Sequence, residues 1–156
     1  MIQRIQSVYL FCSAVASLLM FVIPFGQIVS KNHDLPGHAI DLSNIVLLGF
    51  DFPFLLGVPI MIIFACLINL LTIFLYKKRM LQIKVCKLNL LVLLGVIFVL
   101  FFYDNQGVLD AMNMKESMIS YKFGAFLPII ATILTFLASR SIKKDNDLIR
   151  SVDRIR

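Results

Sequence analysis

Four long stretches of this chain carry no charge at all, and they decide what it can fold into. None of the nine acidic or fifteen basic residues lies between Arg4 and Lys31, Asp51 and Lys77, Lys87 and Asp104, or Lys122 and Arg140, which leaves uncharged runs of 26, 25, 16 and 17 residues. A helix rises about 1.5 Å per residue, so crossing a hydrocarbon core about 30 Å thick takes roughly 17–25 mostly apolar residues. The first two runs suffice outright. The last two extend through Lys87 and Lys122, whose methylene stems lie along a helix while their ammonium groups reach the headgroups. With 60% hydrophobic and only 15% charged residues, against about 25% charged in a soluble domain, the chain lacks the material for a water-facing shell. The expected architecture is an all-α membrane protein: a four-transmembrane-helix antiparallel bundle with spans at about 5–28, 52–76, 85–103 and 120–140, short outer loops and a tail at 141–156. Arg4 precedes an apolar stretch as in a secretory signal. The apolar run exceeds the usual ~7–15 residues, however, so a retained first helix is expected.

Orientation follows from the distribution of Lys and Arg over the loops. Arg4, the loop with Lys77, Lys78, Arg79, Lys84 and Lys87, and the tail with Arg140, Lys143, Lys144, Arg150, Arg154 and Arg156 put 12 cations on one side. The opposite side has Lys31, Lys115 and Lys122 with six of the nine acids. Both termini are therefore expected in the cytoplasm. Tyr9 and Tyr76 near the inner ends, and Tyr103 and Tyr121 near the outer ends, suit the preference of amphipathic rings for the interface.

Within the expected first helix, which bends or ends near Pro24, Ser13 and Ser17 lie one turn apart. Small residues at that spacing let backbones approach closely. Asn69 in the second helix and Asn89 in the third are isolated amides at similar depth on antiparallel neighbours. A bond between them is expected, since a buried amide in lipid seeks a partner on a neighbouring helix. Gly57 and Pro59 suggest a kink in the second helix, with Asp51 as its cap and Pro53 in its first turn. The fourth helix has a face rich in small residues through Gly124, Pro128, Ala131, Thr132, Thr135, Ala138 and Ser139. Outside the spans, Ile45–Phe50 is too short to cross and reads as a strand or interfacial segment, and Asn105–Ser120 as a short helix. In the tail, Asp145 or Asn146 is expected to start an amphipathic C-terminal helix with Leu148, Ile149, Val152 and Ile155 on one side.

The opening Met1-Ile2-Gln3-Arg4-Ile5-Gln6, the basic loop Tyr76-Lys-Lys-Arg-Met-Leu-Gln-Ile-Lys84 leading to Cys86 and Asn89, Tyr121-Lys-Phe-Gly124 with Pro128, and the ending Asp147-Leu-Ile-Arg-Ser-Val-Asp-Arg-Ile-Arg156 together resemble a family of small four-span inner-membrane proteins of Bacteroidota known only as a domain of unknown function. The resemblance covers essentially the whole chain. It implies a bacterial inner-membrane location and supplies no activity or catalytic residue.

The residue inventory argues against catalysis and coupled transport. Proton and ion pathways place ionisable groups inside the membrane, and the four runs hold none. There is no phosphate-binding glycine loop and no nucleophile elbow. His33, Asp34, His38 and Asp41 share a loop without the spacing of a metal site. Cys12, Cys66 and Cys86 are expected as small core thiols, without disulfides or metal. No cofactor, no metal and no DNA partner is expected, and the protein is not expected to be an enzyme. The expected function is that of a non-catalytic accessory subunit of a larger integral inner-membrane complex, with protein translocation or insertion machinery, or the ribosome beside it, as the partner class. Arg150, Arg154 and Arg156 with Leu148, Ile149, Val152 and Ile155 are the candidate partner-binding residues. Anionic lipid is a second expected ligand of the basic side. The alternative is a small-solute or lipid transporter or channel acting as a homo-oligomer.

Overall fold

The computed structural model describes residues 2–29, 38–40, 57–103 and 118–153. Four helices form the body: α1 (Ile2–Leu19), α2 (Gly57–Phe74), α3 (Arg79–Phe98) and α4 (Leu127–Asp153). Each packs on its two neighbours in the ring α1–α2–α3–α4–α1, while the diagonals scarcely touch. Side-chain pairings run in opposite directions along every neighbouring pair, as with Gln6 to Ser141 and Ser13 to Thr135 between α1 and α4. The result is an up-down-up-down antiparallel bundle. α2, α3 continued to Phe101, and the segment Phe123–Ile149 are each long and apolar enough to cross a membrane, and α1 contributes the shorter apolar stretch Ile5–Leu19.

The inward positions alternate at spacings of four and three: 6, 10, 13 and 17 on α1 with 20 just past its end, 58, 62, 65, 69 and 72 on α2, 82, 86, 89, 93 and 96 on α3, and 124, 128, 131, 135, 138 and 142 into and along α4. Such a repeat keeps one seam of a helix facing its partners and underlies knobs-into-holes packing. What occupies the seam is unusual for a water-soluble bundle. Ser13, Ser17, Asn69, Asn89 and Thr135 are fully buried, as are Ala65, Ala131 and Ala138, whereas Phe11, Phe64, Leu91 and Phe136 point outward with more than half their surface exposed.

A small antiparallel sheet closes one end. Strands β1 (Gly26–Val29), β2 (His38–Ile40) and β3 (Met118–Tyr121) lie in the order β2-β1-β3, with Gly26 opposite both Ile40 and Tyr121. Beneath the sheet sits the bulkiest core cluster, which includes Met20, Phe25, Ile62, Val96, Leu100 and Leu127. The Lys122 amide donates to Phe25 O at 2.9 Å, and a Cβ built on Gly124 would lie 2.5 Å from Pro24 O. Only a residue without a side chain permits that backbone approach.

Several expectations change. The first helix ends at Leu19, shortly before Pro24 where the expected span to 28 was to bend or end, and closes with Phe21 N to Leu18 O and Ile23 N to Leu19 O. Pro24 has no N–H to continue the helix and disfavours helical backbone at the residue before it, and Gly26–Val29 beyond it pair in the sheet. Met118–Tyr121 is a strand instead of the end of a short helix, and the span expected from 120 begins as that strand and a 3-10 turn at Phe123–Phe126. The sheet also adds β structure to what was expected to be all-α. The third helix starts at Arg79, six residues before the expected start, because the Arg-Met-Leu-Gln run is made of good helix formers. The link from α2 thus shrinks to a 3-10 turn at Leu75–Lys77 with Lys78. Gly57 and Pro59 are the first and third residues of the described part of α2, which runs unbroken from there to Phe74. α4 runs unbroken through 141–153 instead of restarting at Asp145 or Asn146. No Gly or Pro interrupts that stretch, and Asp145 serves as an ion-pair partner rather than a cap. The expectations for Ile45–Phe50, Asp51, Pro53 and Asn105–Ser117 lie outside the described residues.

Candidate functional site

Halfway along the bundle a chain of neutral polar groups joins all four helices. Asn89 Nδ2 on α3 donates to Asn69 Oδ1 on α2 at 2.7 Å, and Asn69 Nδ2 donates to Ser13 Oγ on α1 at 3.0 Å. Ser13 Oγ lies 2.8 Å from Thr135 Oγ1 and 3.0 Å from Ala131 O on α4, and Thr135 Oγ1 lies 2.9 Å from the same carbonyl. Two hydroxyl protons serve these three contacts, so one hydroxyl donates to the other and the chain ends on Ala131 O. Its head is open: Asn89 Oδ1 is buried with no partner. Ser17 is equally buried, but its hydroxyl bonds Ser13 O on its own helix. The expected residues Ser13, Asn69 and Asn89 are thus brought together with Thr135, while Ser17 only stiffens α1. Ser13 is the hub because it reaches two neighbouring helices at once.

Toward the end opposite the sheet, polarity increases. Gln82 Nε2 donates to Thr72 O at 3.1 Å and Gln6 Nε2 to Ser141 O at 3.3 Å. The last turn is tied by Arg79 Nη1 to Asp145 Oδ2 at 3.1 Å, with side chains 25% and 15% exposed. Gln6, Ile73, Phe74, Arg79 and Gln82 border a cavity of about 470 Å³ between α1, α2 and α3. Sequence reasoning missed Gln6, Gln82 and the Arg79–Asp145 pair. The signal was present in the four-three spacing of Gln82, Cys86 and Asn89, which continues the α3 seam into the basic segment.

The outer surface of this end is the candidate site. Beyond Asp145, α4 continues for eight residues, about 12 Å at 1.5 Å per residue, past the point where α3 begins. Leu148 and Ile149 on that overhang are 48% and 42% exposed. Of the other expected partner-binding residues, Arg150 and Val152 lie on the helix, and Arg154, Ile155 and Arg156 fall outside the described residues. Beside the overhang, a groove between α3 and α4 is lined by Lys87, Arg140, Lys143 and Asp147 together with apolar and neutral polar side chains.

Among the described residues no three His, Cys, Asp or Glu side chains come together as a metal site. Cys66 and Cys86 are buried, Cys12 is exposed, and His33, Asp34 and Asp41 lie outside the described residues. The central chain consists of amides and hydroxyls that stay neutral at ordinary pH. It holds helices together and offers no titratable proton carrier.

Comparison with curated proteins and with solved structures gives no match. Residues 2–155 match the family model described as a domain of unknown function, DUF4293, which spans the polar chain, the sheet and the α4 overhang alike. Nearly every residue discussed above lies within that match, and the chain belongs to the DUF4293 family.

Proposed function

We propose that this protein is a non-catalytic accessory subunit of a bacterial inner-membrane complex, with four membrane spans and both termini in the cytoplasm. The charged end of the bundle is then the cytoplasmic end and the sheet lies outside. The outward-facing Phe, Leu and Ile side chains suit contact with acyl chains. The small and polar seam suits helix association in lipid, where close backbone approach and interhelical hydrogen bonds replace the hydrophobic drive. α1 and the described part of α2 are each about 27 Å long over 18 residues. The axis is filled, with Ala16, Ala65, Leu93 and Ala131 packed as one layer above the polar chain. That supports a scaffold rather than a conduit.

The observation carrying the accessory role is the α4 overhang. A helix held by the bundle on one side projects exposed Leu148 and Ile149 beyond its neighbours, and Arg150, Arg154 and Arg156 follow in sequence. A helix of two or three turns is marginal in water by itself, yet here it is propagated from a packed helix and is ready to enter a groove. A partner with an apolar groove rimmed by acidic groups or phosphates is the complement. Protein translocation or insertion machinery is the partner class to test first.

Two experiments test this in order. In a variant lacking the three native cysteines, single cysteines at Ser43 and Ser117 are expected to react with an impermeant thiol reagent outside the inner membrane, and one at Lys84 only after lysis. The reverse pattern overturns the orientation. Truncation after Asp147 keeps the Arg79–Asp145 pair and removes Leu148, Ile149, Val152, Ile155 and the three arginines. It is expected to leave the thiol pattern intact and to abolish co-purification of the partner in mild detergent. Retention of every partner refutes the docking role, and recovery of a homo-oligomer alone favours a transporter or channel.

A further inference from the structure

The α3–α4 groove has a composition that the accessory role does not use. Its volume is about 430 Å³, within the range of small-molecule sites. Lys87 on α3 and Arg140 and Lys143 on α4 supply three cations, and Met80, Ile83 and Phe136 supply apolar wall. One acid, Asp147, shares the lining and leaves a net positive site. The cations come from two helices, so the groove exists only because α3 and α4 pack here. Asn146 Nδ2, 3.6 Å from Met80 Sδ, is a further contact across the same seam.

We propose that this groove binds the headgroup of an anionic glycerophospholipid. The inference rests on the membrane placement proposed above. The phosphodiester matches the three cations, with Arg140 offering a planar fork of donors and the lysines point charges. The acyl chains have a path as well. Leu91 and Leu94 continue the Lys87 stripe of α3 at spacings of four and three, Ile133 continues the Phe136 stripe of α4, and all three are more than half exposed. A free phosphate would use the cations and leave this apolar stripe without a role, and so the lipid is the occupant. The groove also lies at the boundary where the uncharged run of α4 meets Arg140 and that of α3 meets Lys87. Headgroups meet hydrocarbon at the same boundary, and basic pockets between helices on the cytoplasmic side are a recurrent form of anionic-lipid recognition.

The chain has no tryptophan, so Phe136→Trp, at a side chain already 54% exposed, places a single fluorophore in the groove. The full-length variant is reconstituted in phosphatidylcholine vesicles containing equal fractions of either brominated phosphatidylglycerol or brominated phosphatidylcholine, whose bromines quench indole on contact. Quenching is expected to be stronger with the brominated anionic lipid. One cation near the headgroup plane is worth about fivefold in partition toward anionic lipid. Adding K87Q and R140Q is therefore expected to lower the preference at least about fivefold, while adding K78Q and K84Q, an equal loss of charge at exposed positions outside the groove, leaves it unchanged. Equal quenching by the two lipids, or equal losses from the two pairs, overturns the site in favour of no preference or of diffuse surface charge. Loss of the preference on adding millimolar inorganic phosphate assigns the groove to a free anion and overturns the lipid. Quenching by neither lipid refutes the membrane placement itself, and quenching by brominated phosphatidylcholine in every variant shows that each is folded and inserted.

Discussion

Asn69 and Asn89 form one hydrogen bond with each other, yet the structure makes their removal unequal. Asn69 is bonded on both ends, accepting from Asn89 and donating to Ser13, whereas Asn89 makes one bond and already carries an unpartnered Oδ1. Interhelical hydrogen bonds in lipid are worth about 0.6–1.7 kcal/mol each. Replacing Asn89 by the similarly sized Leu removes one bond and exchanges one orphaned oxygen, Asn89 Oδ1, for another, Asn69 Oδ1. The expected cost is that of a single bond, about 1 kcal/mol. Asn69→Leu removes two bonds and leaves the whole Asn89 amide buried without a partner, adding a desolvation penalty of about 1–3 kcal/mol. It should cost roughly 2–6 kcal/mol. The double variant again lacks both bonds but no longer buries a stranded amide, so introducing Asn89→Leu into the Asn69→Leu protein should restore about 1 kcal/mol or more. Reversible unfolding in mixed detergent and dodecyl sulfate micelles, followed by far-ultraviolet ellipticity, measures all four proteins of this cycle. A double variant less stable than Asn69→Leu alone, or single variants of equal cost, would show that the polar chain does not run in this order.

Three further outcomes follow from the same geometry. Ser13→Ala, which cuts α1 from both α2 and α4, should cost about 1–3 kcal/mol in the unfolding assay, whereas Ser17→Ala, losing only a bond within α1, should change stability by under about 0.5 kcal/mol. Gly124→Ala forces a Cβ against the Ile23 and Pro24 carbonyls and should destabilise by about 1–3 kcal/mol, while Gly95→Ala meets only the flexible end of Met61 at 3.0 Å and should be milder. Asp145→Asn should cost no more than about 1 kcal/mol, because the pair with Arg79 is partly solvated. Its cost should shrink as salt rises from about 0.05 to about 0.5 M, and a salt-independent cost would contradict a partly solvated ion pair.

Much of the scaffold was legible in the residues. An uncharged run long enough to cross a membrane is a local property, summed residue by residue, and it placed the bodies of all four helices. The likeness in depth of Asn69 and Asn89 also followed from counting, because helical rise is constant. The ends of the helices were less legible. Leu19, Arg79 and the unbroken run to Asp153 depend on a proline's effect on its neighbour, on helix formers among charges, and on a carboxylate that pairs across the bundle instead of capping.

Sequence by itself determined that the chain is built from apolar helices with charges confined to their ends, since transfer of charge out of water is costly wherever the chain folds. Tertiary structure alone decided the rest. β1 pairs with β3 across some ninety residues of sequence, and Gly124 is needed only because Pro24 arrives beside it. Ser13 becomes the hub because three helices converge on one hydroxyl, and Lys87 becomes a neighbour of Arg140 because α3 packs against α4. Each of these is a relation between distant segments, fixed by how the helices' small and polar seams pack, and no local sum over residues contains it.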